Sequence, residues 1–220
     1  MKNILCYGDS NVWGCVPHHC AKTDPVSRYP EHVRWTSVLK DDLGDDFRVI
    51  EEGLCGRTTI YSIPDQWYKC GEPYLLPCLL THRPLDLVII MLGTNDLRLC
   101  YHADTAHLDK GIHRLIDIIQ GCPESGAGEG APKILLASPI EICKPTGRMD
   151  FFEDRGGDIC IELARRFAPA YKSVAEEKGC AFLDASLYGV PSEKDGLHLT
   201  HESHIALGHA IAAKVKEILV

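Results

Sequence analysis

At 220 residues the chain is long enough to bury a substantial core without disulfide or metal staples. Its 23 Lys and Arg stand against 31 Asp and Glu, a formal net charge of −8, and no basic block interleaved with aromatics occurs. That balance argues against nucleic acid or an anionic membrane surface as a partner, since both reward clustered cations.

Eleven cysteines run from Cys6 to Cys180, an odd number with no C-x-x-C pair, which fits neither a secreted disulfide framework nor a zinc ribbon. Only a few apolar residues precede Asp9, too few for a signal-peptide core, and no run reaches transmembrane length. The expectation is a cytoplasmic protein whose cysteines mostly fill the core.

In chain order, the first apolar run is Ile4–Tyr7, and it stops at the polar stretch Gly8-Asp9-Ser10-Asn11. Helical spacing follows over Pro30–Leu43, with Val33, Val38, Leu39 and Leu43 on one side and Gly44 as the stop. Phe47–Ile50 is the second run. Residues 60–84 carry several prolines and little periodicity, so an irregular excursion over the sheet is expected there. The run Leu85–Leu92 is nearly all apolar and rich in β-branched residues, as befits a central parallel strand covered on both faces.

Ile112, Leu115, Ile116 and Ile119 form a helical stripe ending at Gly121, and Gly121–Pro132 reads as a surface loop. Ile134–Ala137 and the weaker Ala181–Leu183 complete the apolar runs. Between them Ile159–Lys178 is helical by composition, with Pro169 expected to kink or divide it. Thr200 is a plausible N-cap for a last helix reaching Leu219, with Ile205, Ala206, Ala210, Ile211, Val215 and Ile218 on its apolar face. Strand and helix alternate from end to end without a linker or repeat. The pattern predicts a single α/β domain over residues 1–220, doubly wound about a parallel sheet.

In such a sheet ligands sit beyond the carboxyl ends of the strands. Three glycine-bearing polar turns follow the first three runs: GDSN at 8–11, EEGLCGRTT at 51–59 and GTND at 93–96. Acyl transfer to a serine needs a base, a carboxylate to orient the base, and donors facing the developing oxyanion. Ser10 is the candidate nucleophile. Asp195 and His198, three residues apart near the C-terminus, supply the carboxylate and an imidazole whose unperturbed pKa of ~6.5 suits a base at neutral pH. The Asn95 amide and the backbone N–H groups of Gly56 and Ser10 are candidate oxyanion donors. Asp9 is expected to brace the loop, and Arg57 and Asp96 to be structural.

The four blocks GDSN, GLCGRTT, GTND and DGLH, in that order, resemble the SGNH or GDSL-type hydrolase family. The resemblance assigns the serine to Ser10, the glycine to Gly56, the asparagine to Asn95, and the Asp and His to Asp195 and His198. It implies a flavodoxin-like three-layer α/β/α sandwich around a mostly parallel five-stranded sheet, with no cofactor. The strings RWTSVLKDDLG, VIEEGLCGRTT, LPCLLTHRPLDLVIIMLGTND and DGLHLT are most similar to the arylesterase/acyltransferase branch. That likeness implies small acyl or aryl esters, acyl transfer to alcohols, a narrow apolar access channel, and a homo-oligomer, often an octamer. It also suggests Trp13 as a lining residue of the pocket. Asn11 stands where Leu or Ile is commonest, so it is expected near Ser10, shaping the acyl pocket.

Other readings stay open. Carbohydrate O-deacetylation and lysophospholipid or thioester hydrolysis use the same blocks. His198, His201 and His204 recur at metal-ligand spacing, and His18-His19-Cys20 is also ligand-like, although plain helix-start histidines would give the same pattern. A non-enzymatic alternative takes GDSNVWG as a phosphate loop of a flavodoxin-like binding module. It has only Gly8 and Gly14, and no following Lys.

Overall fold

The structure is a computed structural model that describes residues 1–18, 25–102 and 105–220, with the backbone alone over 105–108. His19 and Cys20, and with them the ligand-like His18-His19-Cys20 triplet as a unit, lie outside the described residues.

The chain opens with β1 (Lys2–Gly8), the one-turn helix α1 (Ser10–Trp13), α2 (Trp35–Leu43) and β2 (Phe47–Gly53). Next come α3 (Gly71–His82), β3 (Leu87–Met91), α4 (Thr105–Gln120) and β4 (Lys133–Ser138). The short α5 (Met149–Glu153) and α6 (Asp158–Ala164) precede α7 (Phe167–Lys178), β5 (Ala181–Asp184) and α8 (His201–Leu219).

The strands form one parallel sheet in the order β2-β1-β3-β4-β5. This is the doubly wound arrangement, and its switch point lies between β1 and β3, where successive connections leave on opposite faces. Two apolar layers follow. On one face α3, α4 and α7 bring Leu75, Leu79, Ile112, Ile116 and Phe167 against Leu5, Val88 and Ile90. On the other, α2 and α8 bring Trp35, Leu39, Leu207 and Ile211 against Ile4, Cys6 and Ile89. Every residue of β3 is buried, as the unbroken apolar run anticipates. The result is the three-layer α/β/α sandwich that the four blocks imply.

Several expectations are corrected. Residues 60–84 are not irregular: they hold a 3₁₀ segment over Pro64–Lys69 and the twelve-residue α3. Pro73 falls in the first turn of α3, where its missing N–H costs nothing. Pro77 does remove an internal bond, but burial of Leu75, Cys78 and Leu79 outweighs a low local propensity. The segment 159–178 is indeed divided, yet the break lies at Arg165–Arg166, and Pro169 is the third residue of α7. The helix expected from Pro30 begins only at Trp35.

In α8 the buried face is Leu207, Gly208, Ile211, Ala212 and Val215, while Ala206 is exposed, so the helix is turned from its predicted orientation. Gly208 explains the turn. A Cβ there would stand 2.6 Å from Val38 Cβ and 2.9 Å from the Trp35 carbonyl oxygen, so the bare backbone is what lets α2 and α8 meet. Among the described residues no helix is long and apolar enough to cross a membrane.

Candidate active site

Three carboxyl ends of strands meet above the switch point. Gly8 ends β1 against Met91, and Gly53 ends β2 opposite it. Asp9 caps α1: its Oδ1 accepts the Asn11 N–H at 2.9 Å, and Gly14 closes the helix in the left-handed region. Ser10 is thus held at the first position of a one-turn helix directly after the central strand.

Its partners arrive from the other end of the chain. His198 Nε2 lies 3.0 Å from Ser10 Oγ, and His198 Nδ1 lies 2.7 Å from Asp195 Oδ2. Because the carboxylate accepts a hydrogen bond from Nδ1–H and so keeps the ring proton there, Nε2 carries the lone pair that accepts from the serine hydroxyl. Asp195 Oδ1 also accepts the backbone N–H groups of Leu197 and His198, each at 3.1 Å. Burial alone would raise its pKa. The His198 ring, that charge and the two backbone donors outweigh burial and hold the carboxyl below its usual range.

Asn95 follows β3 in a 3₁₀ turn, and its two ends are assigned by their neighbours. The buried Arg155 donates to Asn95 Oδ1 at 2.9 Å, which turns Nδ2 toward the Arg57 carbonyl at 3.1 Å and Asp9 Oδ2 at a longer 3.4 Å. Gly56, at φ +81°, reaches the same space from the turn after β2. Ser10, Gly56, Asn95 and His198 all line one cavity of about 470 Å³.

Supporting residues fall as expected. Arg57 donates to the Gly8 carbonyl at 2.9 Å and lies over the Tyr7 ring at 4.3 Å. Asp96 accepts both the backbone N–H and the hydroxyl of Thr59, at 2.9 and 2.7 Å. Burial lifts the Asp9 carboxyl to about 6 and the Asp96 carboxyl to about 7.

Other placements differ. Asn11 does line the cavity, but its amide is engaged with the backbone on either side of His198, at Leu197 and Leu199. Trp13 is not among the residues lining the cavity. Its ring sits under the Arg28 guanidinium at 5.5 Å, because Gly53 brings the Trp13 backbone down on the edge of β2. The histidine series 198, 201 and 204 does not converge. His201 is exposed, whereas His204 is wholly buried, accepts the Trp35 N–H at 3.3 Å, and is pushed by burial down to about 3. Away from the cavity, the ligand atoms of Glu52, Cys78 and His82 lie within 4.8 Å of one another, with Glu52 and His82 paired at 2.8 Å.

Sequence reasoning missed the segment after β4. There Arg148 is buried, pairs with Asp150 through two bonds of 2.6 and 2.7 Å, and contacts the His18 ring. Phe151 and His18 flank His198, with ring centroids 6.3 and 6.4 Å away. Lys69, Arg98, Arg148 and Arg155 all reach the cavity wall, which they share with the apolar Pro25, Val26, Phe151 and Leu197. No short motif marks these residues. Only the excess of arginine over 148–166 in an acidic chain hints at them.

Comparison with known proteins agrees with this geometry. The model of the GDSL-like Lipase/Acylhydrolase family matches residues 6–205. A carbohydrate acetylesterase from Sinorhizobium meliloti is 35% identical over 100% of both chains, with a TM-score of 0.92. An aryl esterase from M. smegmatis is 37% identical over 100% of both chains, with a TM-score of 0.91. A lipase/acylhydrolase from Enterococcus faecalis shares the fold at 19% identity and a TM-score of 0.67, over 99% of this chain and 96% of that one. A search of curated proteins finds no match. The chain belongs to the GDSL-like lipase/acylhydrolase family and is a carboxylic ester hydrolase.

Proposed function

We propose that the chain is a serine esterase acting on small carboxylic esters through an acyl-enzyme. In this reading His198 Nε2 takes the proton of Ser10 as its Oγ attacks the ester carbonyl, and Asp195 stabilises the imidazolium that results. The Ser10 and Gly56 N–H groups and the Asn95 amide hold the oxyanion. His198 returns its proton to the leaving alcohol, and water or a second alcohol resolves the acyl-enzyme. The observation that carries the reading is the Asp195–His198–Ser10 relay, with steps of 2.7 and 3.0 Å. No metal or cofactor is called upon.

The test is hydrolysis of p-nitrophenyl acetate by wild type and Ser10→Ala. A loss on the order of 10⁴–10⁶ in kcat is expected, with unchanged circular dichroism. Unaltered turnover in the variant would end the assignment. Adding a simple alcohol and following ester formation tests the transferase branch.

One observation favours a second substrate class. Gln66, Lys69, Arg98 and Asp154 give the outer cavity a polar wall, suited to the hydroxyls of an acetylated carbohydrate. The likeness to a carbohydrate acetylesterase points the same way. Rates on acetylated sugars against aryl acetates decide between the two.

A homo-oligomer is proposed as well, with an octamer as the first form to test on a sizing column. It is supported by Trp67, Tyr68, Leu76 and Leu80, which expose apolar surface on and before α3. The many thiols suit a reducing compartment, so the proposed location is the cytoplasm.

A further inference from the structure

Outside the cavity, three side chains of metal-ligand type meet where β2 packs on α3, and ester chemistry uses none of them. Glu52 lies in β2, and Cys78 and His82 stand one turn apart on α3. That i, i+4 spacing puts thiol and imidazole on one helix face. One ligand atom from each of the three lies within 4.8 Å of the other two, and Glu52 Oε1 is 2.8 Å from His82 Nε2. Cys78 is 1% exposed, whereas the Glu52 and His82 side chains are 19% and 24% exposed. An ion can therefore enter from solvent between carboxylate and imidazole and find the sulfur behind them.

The surroundings suit a cation. Glu51 is paired with Arg28 and Arg34, but among the described residues Glu52 meets no lysine or arginine at ion-pair distance. Its Oε2 accepts the Tyr74 hydroxyl at 3.2 Å, which holds Oε1 toward His82. Ligating carboxylates are commonly oriented by such an outer hydrogen bond. His82 is also the last residue of α3, where the unpaired helix carbonyls favour positive charge.

We propose that Glu52, Cys78 and His82 form a zinc site that pins the end of β2 to α3, with water as the fourth ligand. Thiolate, imidazole and carboxylate together are the donor set of zinc. Tetrahedral bonds of about 2.0–2.3 Å set ligand atoms roughly 3.3–3.6 Å apart. The Glu52–His82 pair thus opens by roughly half an ångström, and the sulfur closes on the ion. Zinc takes the place of the proton between Glu52 and His82, and the Cys78 thiol proton leaves to solvent. Thiolate and carboxylate cancel the charge of the ion. The Arg57 guanidinium, 5.5 Å from the Tyr74 ring centroid, therefore faces a site of no net charge. The site is independent of the esterase reading.

The experiment strips the full chain with a chelator under reducing conditions, adds zinc sulfate or cobalt chloride, desalts, and measures bound metal by mass spectrometry. One zinc per chain is expected, and the cobalt form should show tetrahedral d–d bands with a thiolate-to-cobalt charge-transfer band. Zinc at about 100 times its Kd should raise the melting temperature by roughly 5–10 °C. Cys78→Ser and His82→Gln should each lose the retained ion, the charge-transfer band and the thermal shift. Should the buried Cys78→Ser fail to fold, His82→Gln at the half-buried end of α3 still decides. A chain that retains no zinc overturns the proposal, and so does a cobalt spectrum without the thiolate band. Zinc retained equally by wild type and the folded variants overturns it too, since the ion then sits at His198 or another thiol.

Discussion

The Asn11 side chain is tied to Leu199: its Oδ1 accepts the Leu199 N–H at 2.9 Å, while its Nδ2 donates to the Leu197 carbonyl at 3.1 Å. The residue after Ser10 therefore clamps the backbone on both sides of His198. Two segments nearly the whole chain apart are locked in register at the place where the hydroxyl must meet the imidazole. The sequence poses Asn11 as a departure in the acyl pocket, and the structure makes it a strut.

Replacing Asn11 by the hydrocarbon common in the family should expose that role. Asn11→Leu leaves a buried donor and a buried acceptor unpaired, at about 1–3 kcal/mol each. Thermal denaturation should show the loss, and kcat on p-nitrophenyl acetate should fall more than KM rises, because His198 loses its anchor. An unchanged melting temperature would mean that the clamp contributes nothing.

Asn95→Ala removes one candidate oxyanion donor and should lower kcat by roughly 10²–10³ with little change in KM. Arg155 makes a separable prediction. It donates to Asn95 Oδ1 at 2.9 Å and to the Phe151 carbonyl at 3.0 Å, so Arg155→Met should free the amide to flip and reproduce part of the kcat loss. Steady-state kinetics on the two single variants and the double variant checks this. A double variant no worse than Asn95→Ala means that Arg155 acts through Asn95.

Gly208→Ala tests the seam between α2 and α8. Alanine in a helix gains up to about 1 kcal/mol over glycine, but overpacking costs about 1–3 kcal/mol. Here the new methyl would meet both Val38 and the Trp35 carbonyl, so the cost should win and the urea midpoint should drop.

Asp96 ties stability to pH. Its folded pKa of about 7 lies above the ordinary 3.8, so between those values the folded state binds the extra proton. Its contribution is full below about pH 4 and is lost as pH rises through 7. His204, depressed to about 3, has the opposite sense and loses stability as pH falls from 6.5. The difference between wild type and Asp96→Asn isolates the first effect. Wild type should lose ground to the variant from pH 4 to pH 7, as read by urea denaturation at each pH.

The sequence by itself determined the strand positions, the parallel sheet and the candidate site residues that come from the four blocks. Each depends on local pattern: an apolar run sets a buried strand, and the glycine-bearing turn after it falls at the carboxyl edge by topology. The tertiary structure alone decided what α3 is, how α8 is turned, and where Trp13 and Asn11 point. Burial of Leu75 and Leu79 overrides the prolines of α3, and one absent methyl at Gly208 sets the rotation of α8.

The arginines at 148 and 155 were equally hidden. Their contacts with His18 and Asn95 join residues 130 and 60 positions apart, and periodicity sees only a turn or two of chain. A motif fixes which groups can react. Only the packed fold fixes which other groups hold them in place.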